Sequence, residues 1–339
     1  MAGKKPTGRK PTRSAAEPRG ADKLIAALKF IAPAQKKAGL HYQTHCVFYG
    51  GNVIAFDGLL TIGHPIEEDI HCCPESLKLL ESLNKCGQEL NITQLDSGRL
   101  SIKSGRFKAI VNCHPFNEMP YVGPDQLCAV IDDRIKEAFS AIGQIISESA
   151  DRIVCACICL RANTAVATNG FVLAEYWHGI DLPDNLLIPK LAVKAICAAT
   201  KKLVGFGFST HSATFFFEDG SYIKTQLFDE GYPRVENFFI KPTLPVALPE
   251  DFFKGIDALD GFDEDNVVYF SERGMSTARD GSKGATYEIE GLPNETAFSI
   301  DFLKLVQKEF LNVDFQTKEQ RAYFFGKNSR GVIMGRSLR

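Results

Sequence analysis

The strongest constraint on this chain is that it repeats itself. A short turn motif occurs three times, as Phe56-Asp57-Gly58, Thr168-Asn169-Gly170 and Arg279-Asp280-Gly281, with the glycines 112 and 111 residues apart. Asp-Gly and Asn-Gly favour tight hairpins because glycine tolerates positive φ. Other landmarks keep the same step. Asp22–Ile31, Asp133–Ile142 and Glu250–Leu259 each open with an acid and carry apolar residues at helical spacing, so each reads as an amphipathic helix. A second helix is expected within Pro74–Leu83, Pro189–Lys202 and Ser299–Phe310, the first two opened by a proline. A strand–turn–strand signal follows at Leu100–Val111, Thr214–Leu227 and Arg321–Met334, with Gly105, Gly220 and Gly331 as the turn glycines. Four landmarks in one register predict three copies of one α+β unit: helix, strand pair, helix, strand pair. Proline and glycine interrupt the pattern near Gly123–Pro124 and Lys241–Pro245. The expected domains are therefore 21–124, 125–242 and 243–339, after a tail at 1–20.

That tail is basic. Lys4, Lys5, Arg9, Lys10, Arg13 and Arg19 face only Glu17, whereas the whole 339-residue chain carries a net charge of −2. Rich in proline and glycine and almost free of apolar residues, the tail is expected to be disordered, as a solubilising leader or an arm for a polyanion. The remainder is acidic. With 45% hydrophobic and 24% charged residues the composition is that of a globular chain, which excludes global disorder and a collagen-like fibre. No apolar run approaches the length of a membrane span, and no secretory leader is legible. Without such a leader, the ten cysteines read as reduced thiols, not a disulfide framework.

Several local motifs invite chemistry. His71-Cys72-Cys73 and Cys113-His114 could suggest a metal or a thiol enzyme, but neither has the paired spacing of a zinc site. Cys155, Cys157 and Cys159 alternate, so on a strand they would share one face and act as small core hydrophobes. Gly205-Phe206-Gly207 is too short for a phosphate loop and reads as a strand turn. Asp57 and Asp280 could belong to a two-metal nuclease, yet repeated hairpin turns account for them, and Asn169 fills the equivalent place in the second copy.

The segment Ala167-Thr168-Asn169-Gly170-Phe171-Val172-Leu173-Ala174 resembles the A-T-D-G-H-R-L-A of the bacterial DNA sliding clamp, the β subunit of the replicative polymerase. Leu187-Ile188-Pro189-Lys190-Leu191-Ala192-Val193 is similar to that family's I-I-P-R-K-A-V, and Gly331-Val332-Ile333-Met334 to its closing Y-V-V-M-P. The segment from Leu227 to Pro233 resembles the family's D-G-x-F-P stretch. The likeness is clear over about residues 130–240 and looser on either side. This sequence departs where Phe171-Val172 replaces His-Arg and Gly335 replaces the final proline, and its third repeat is short. A phage-encoded clamp would fit such drift.

The resemblance implies a homodimeric ring that encircles duplex DNA without sequence preference, tethers the replicative polymerase and is opened by a clamp loader. No catalytic residue, metal or cofactor is implied, and the place of work is the cytoplasm or nucleoid. Helices line the hole in this family, so the candidate phosphate contacts are Lys23, Lys29, Lys78, Arg134, Lys136, Lys190, Lys194, Lys201, Lys202, Lys254 and Lys304, with Lys194, Lys201 and Lys202 as the foremost cluster. The positions that match the family's partner-peptide pocket are Thr168, Gly170, Phe171, Val172, Leu173, Pro233, Asn237, Phe238, Val332, Met334 and Leu338. Phe107 and Leu259 match its apolar dimer interface. The rival readings are a clamp-like docking or decoy module that does not close, and a metal-dependent nuclease or thiol hydrolase on a repeat scaffold.

Overall fold

Among the described residues, six helices of six to ten residues form where amphipathic spacing meets a favourable end. The computed structural model describes residues 20–240, 243–279 and 284–337, so most of the basic tail, the Asp280-Gly281 turn and Leu338 lie outside the described residues. In Asp22–Ile31 the buried side chains are Leu24, Ile25, Ala27, Leu28 and Ile31, one continuous stripe. Asp22 in its first turn and Lys29 in its last complement the helix dipole. Arg134–Ile142 repeats the design with Ile135, Ala138, Phe139 and Ile142 buried, and Phe252–Leu259 with Phe252, Gly255, Ile256 and Leu259. The second helices are Ser76–Leu83, Lys190–Ala198 and Ile300–Leu305.

The chain divides into two compact units. One comprises the residues up to Asp57 with Gly63–Tyr121; the other comprises Gly58–Ile62 with the chain from Val122 onward. In the first, Val47–Tyr49 and Asn52–Phe56 form a hairpin, and Asn91–Gln94, Leu100–Ser104 and Phe107–Val111 form a three-stranded antiparallel sheet. Cys73–Pro74 pairs antiparallel with Cys113–His114.

The second unit is built around an eight-stranded sheet that runs through both the 125–242 and the 243–339 segments. Its central joint pairs Val172–Trp177 with Ser329–Met334, in the register Val172↔Ile333, Leu173↔Val332 and Ala174↔Gly331. Cys157, Cys159, Val166, Leu173, Tyr323 and Val332 pack together in its core. Burial pushes the Cys157 thiol up to about 12 and the Cys159 thiol to about 11, as expected for inert core cysteines. A four-stranded sheet over residues 267–299 packs with the Phe252–Leu259 helix around an aromatic core, with Phe252, Phe270 and Phe298 in successive ring contacts of 5.8 and 5.6 Å.

A third element group, Ser212–Phe217 with Tyr222–Gln226, is tied to the start of this unit by a buried carboxylate. Asp125 accepts from Lys224 at 2.9 Å, from Ser212 at 2.8 Å and from Thr214 at 2.8 Å. Burial alone would raise its pKa; these donors outweigh burial and hold it below the usual carboxylate range.

Four sequence expectations are corrected. Gly331 is not a turn residue: it sits inside the Ser329–Met334 strand, where a Cβ would lie 2.2 Å from the Phe324 ring and 2.4 Å from the Leu173 carbonyl oxygen. The glycine is there because two neighbours approach the backbone. Gly205 and Gly207 likewise lie within the Leu203–Phe208 strand, where a Cβ would meet Leu127 at 2.4 Å and the Gln126 carbonyl at 2.5 Å. Cys155 is not on the strand of Cys157 and Cys159 but in a one-turn helix, Ile153–Ala156, that precedes it. Leu259 is 1% exposed and belongs to the core of its own helix, so it cannot present an interface.

Candidate functional site

The Thr168–Phe171 turn fixes the mouth of an apolar cavity. Gly170 has φ of 92°, a conformation a Cβ would strain. The Asn169 side-chain oxygen accepts the N–H groups of Phe171 at 3.0 Å and Val172 at 2.8 Å. The Thr168 hydroxyl donates to the Val172 carbonyl at 2.8 Å and accepts the Gly170 N–H at 3.1 Å. A turn so closed on itself projects Phe171 outward, 57% exposed, where it stacks on Phe302 with centroids 5.4 Å apart and planes at 18°. Met334, on the neighbouring strand, donates its N–H to the Phe171 carbonyl at 2.8 Å.

Behind this turn lies a cavity of about 290 Å³. Nine of the eleven residues expected at the pocket line it: Thr168, Gly170, Phe171, Val172, Leu173, Pro233, Phe238, Val332 and Met334. Val172, Leu173 and Val332 are core side chains whose outer faces make the floor, while Phe171 and Phe238 are exposed and form the rim. Asn237, exposed on the same 3-10 turn as Phe238, does not line the cavity. Leu338 is outside the described residues. Four liners were not anticipated: Arg152, Val154, Cys155 and Val235. Three of these come from the one-turn helix and the residue that precedes it. Among the described residues Arg152 is the only charged liner, so the cavity offers an apolar floor with a cation at its edge.

The eleven candidate phosphate contacts fall into distinct classes. Seven face carboxylates: Lys23 with Glu67, Lys78 with Glu81, Arg134 with Asp132, Lys136 with Asp133, Lys194 with Glu148, Lys254 with Asp251, and Lys304 with Asp260 and Asp257. Most of these pairs are exposed and therefore weak, so a phosphate could displace the acid. Lys136 is different. Its side chain is 15% exposed, packs over the Phe217 ring at 5.2 Å, and donates to the carbonyls of Ala199 (3.0 Å) and Lys201. It serves the carbonyl end of the Lys190–Ala198 helix and is removed from the phosphate candidates. Lys190 donates to the Ile146 carbonyl; burial and the neighbouring Lys194 charge lower its pKa. Lys29, Lys201 and Lys202 are exposed, and among the described residues none of their side chains is paired with a carboxylate, although the Lys202 backbone N–H donates to Glu218 at 3.3 Å. Phe107 is half-buried on the edge strand of its three-stranded sheet, beside an exposed Ile110.

Scanned by sequence, the chain matches no protein-family model and no curated protein. By structure it is similar to the DNA polymerase sliding clamp from Bacillus subtilis, with a TM-score of 0.80 at 14% identity over 94% of this chain and 98% of that one. The fold is that of a DNA sliding clamp. The sliding clamp from Caulobacter crescentus aligns at a TM-score of 0.78 and 15% identity, covering 94% of this chain and 98% of its own. The Helicobacter pylori β clamp, solved with a DNA ligase peptide bound, aligns at 0.76 and 15%, covering 94% of this chain and 99% of its own. The sliding-clamp fold thus extends across nearly the whole chain at only 14–15% sequence identity to these structures.

Proposed function

We propose that this protein is a sliding clamp in function as well as fold: a homodimeric ring around duplex DNA that tethers the replicative polymerase. The observation that carries the proposal is the apolar cavity, formed by nine of the residues at which the resemblance places a partner pocket, in a chain that aligns with sliding clamps over 94% of its length. Such a groove suits an extended peptide with apolar anchors, and Arg152 would favour an acidic group near one end. Lys29, Lys194, Lys201 and Lys202 would supply weak, sequence-independent phosphate contacts that permit sliding. Tethering raises the polymerase's local concentration at its template, an effect of avidity that needs no catalytic group.

The three-domain organisation belongs to this proposal, because two copies of three domains would close a ring of six. Phe107 and Ile110 on an exposed edge strand would form one side of the dimer contact. Since Leu259 is core, the other side would be Phe262, 65% exposed just beyond the same helix. A clamp loader and its ATP would open the ring from outside. Negative-stain electron microscopy of the purified protein tests the proposal: closed six-lobed rings are expected, whereas isolated crescents at high concentration would replace it with a docking module that does not close.

A further inference from the structure

Three of the seven histidines meet in the first unit. His41 and His45 sit one turn apart, on the short helix His41–Thr44 and its C-terminal cap, and His114 ends the Cys113–His114 strand. The His41 and His114 rings stack with centroids 4.0 Å apart and planes at 19°. His45 closes the group, 5.7 Å from His41 and 5.9 Å from His114. Such a stack suits two neutral rings, or one charged ring on a neutral one, but two imidazolium cations at that separation repel. Rings lying face to face do not aim their nitrogens at one point, and among the described residues no group of three His, Cys, Asp or Glu is placed to hold a metal ion. Few counter-charges face the cluster. Glu118 lies 3.2 Å from the His114 Nε2 and is itself 58% exposed; Glu75 pairs with His45 in an isolated β-bridge. Cys73, opposite His114 in the strand pairing, stays a neutral thiol because burial pushes its pKa up to about 12, and burial does the same to Cys46 beside His45. Cys113 falls on the other face of the strand from His114. Lys36 and Lys37, exposed on the loop before the turn, add only positive charge. The Asn52–Phe56 strand packs Phe56 against Tyr42 and brings no charge before Asp57. Three imidazoles therefore face two carboxylates.

We propose that His41, His45 and His114 form an acid-sensitive latch on the first unit. Neutral, the three rings hold the His41–Thr44 turn against the Cys113–His114 strand; charged, they drive it off. Three further bonds hold the turn: Lys36 donates its N–H to the Gln43 carbonyl at 2.7 Å, Gln43 its amide to the Asp57 carbonyl at 3.0 Å, and Gln35 its amide to the His45 carbonyl at 3.2 Å. Release of the turn therefore frees residues 36–46 and lets go of the Asp57-Gly58 hairpin turn. The His45 Nδ1 donates to the His41 carbonyl at 3.1 Å. Burial is the largest influence on the His45 ring and lowers its pKa; the charges of His114 and His41 act the same way, against that carbonyl bond and Glu75. A histidine whose pKa is lowered by folding stabilises the fold above the unfolded value of about 6.5, and that contribution fades as the pH falls below it. The latch is shut at neutral pH and opens in mild acid. It is independent of the clamp reading.

The test is hydrogen exchange by mass spectrometry on the full-length protein at about pH 7.5 and about pH 5.5, either side of the ordinary histidine value, with intrinsic exchange rates divided out. Residues 36–46 should lose protection about tenfold in acid, the shift for one extra proton bound by the open state over the pH unit below about 6.5. The Arg134–Ile142 and Lys190–Ala198 helices should keep theirs. His114→Phe keeps an aromatic ring for the stack but takes no charge, and should cut the loss to roughly threefold or less. Unchanged protection of 36–46 in acid, an equal loss in the two other helices, or a full acid response in His114→Phe would overturn the proposal. The wild-type comparison decides this even if the variant folds poorly.

Discussion

Gly331 and Phe171 show how much a single position can carry in this fold. A methyl group at residue 331 would sit 2.2 Å from Phe324 and 2.4 Å from a backbone oxygen, and neither strand can move aside without breaking the register that joins Val172–Trp177 to Ser329–Met334. Gly331→Ala should lower stability by about 2 kcal/mol or more, read as a reduced midpoint in chemical denaturation. Phe171 poses the opposite case. It is exposed, and its ring spans the space between Phe302 and the cavity mouth. Phe171→Ala should leave the denaturation midpoint nearly unchanged while weakening the capture of an apolar polymerase peptide about tenfold, the loss of one aromatic anchor. Unchanged peptide affinity, measured by fluorescence anisotropy, would place the anchor elsewhere.

At the scale of elements, amphipathic helices were legible from sequence because their signal is local. Leu24, Leu28 and Ile31, or Phe252, Ile256 and Leu259, declare a buried stripe by spacing alone. The same spacing already argued that Leu259 is core; the interface assignment came from position in the family pattern, and position does not say which way a side chain faces. Glycine proved ambiguous for a physical reason. A turn glycine and a glycine that admits a neighbour's ring are identical in sequence, and Gly105 and Gly331 illustrate the two uses. The cavity floor was legible only through the resemblance. Arg152, Val154 and Cys155 escaped because a single helical turn before a strand leaves no periodic trace. Among the cations the elements separate two roles. Replacing Lys194, Lys201 and Lys202 together with alanine should reduce the salt slope of DNA binding by up to about three phosphate contacts. Lys136→Ala should instead lower the melting temperature, because it strips a cation from a helix end, and should leave that slope in place. A salt slope that follows Lys136 and ignores the triple variant would reverse the assignment.

At the scale of the whole molecule, affinity for DNA should come from enclosure more than from contact. Its direct measurement is retention on a closed path. The protein is assembled on nicked circular DNA with a bacterial clamp loader and ATP, separated from free protein by gel filtration at moderate salt, and the circle is then cut once. The protein should stay with the circle and be lost from the DNA after linearisation, as it slides off the free ends. Equal retention on circle and linear DNA, or retention on neither, would contradict enclosure.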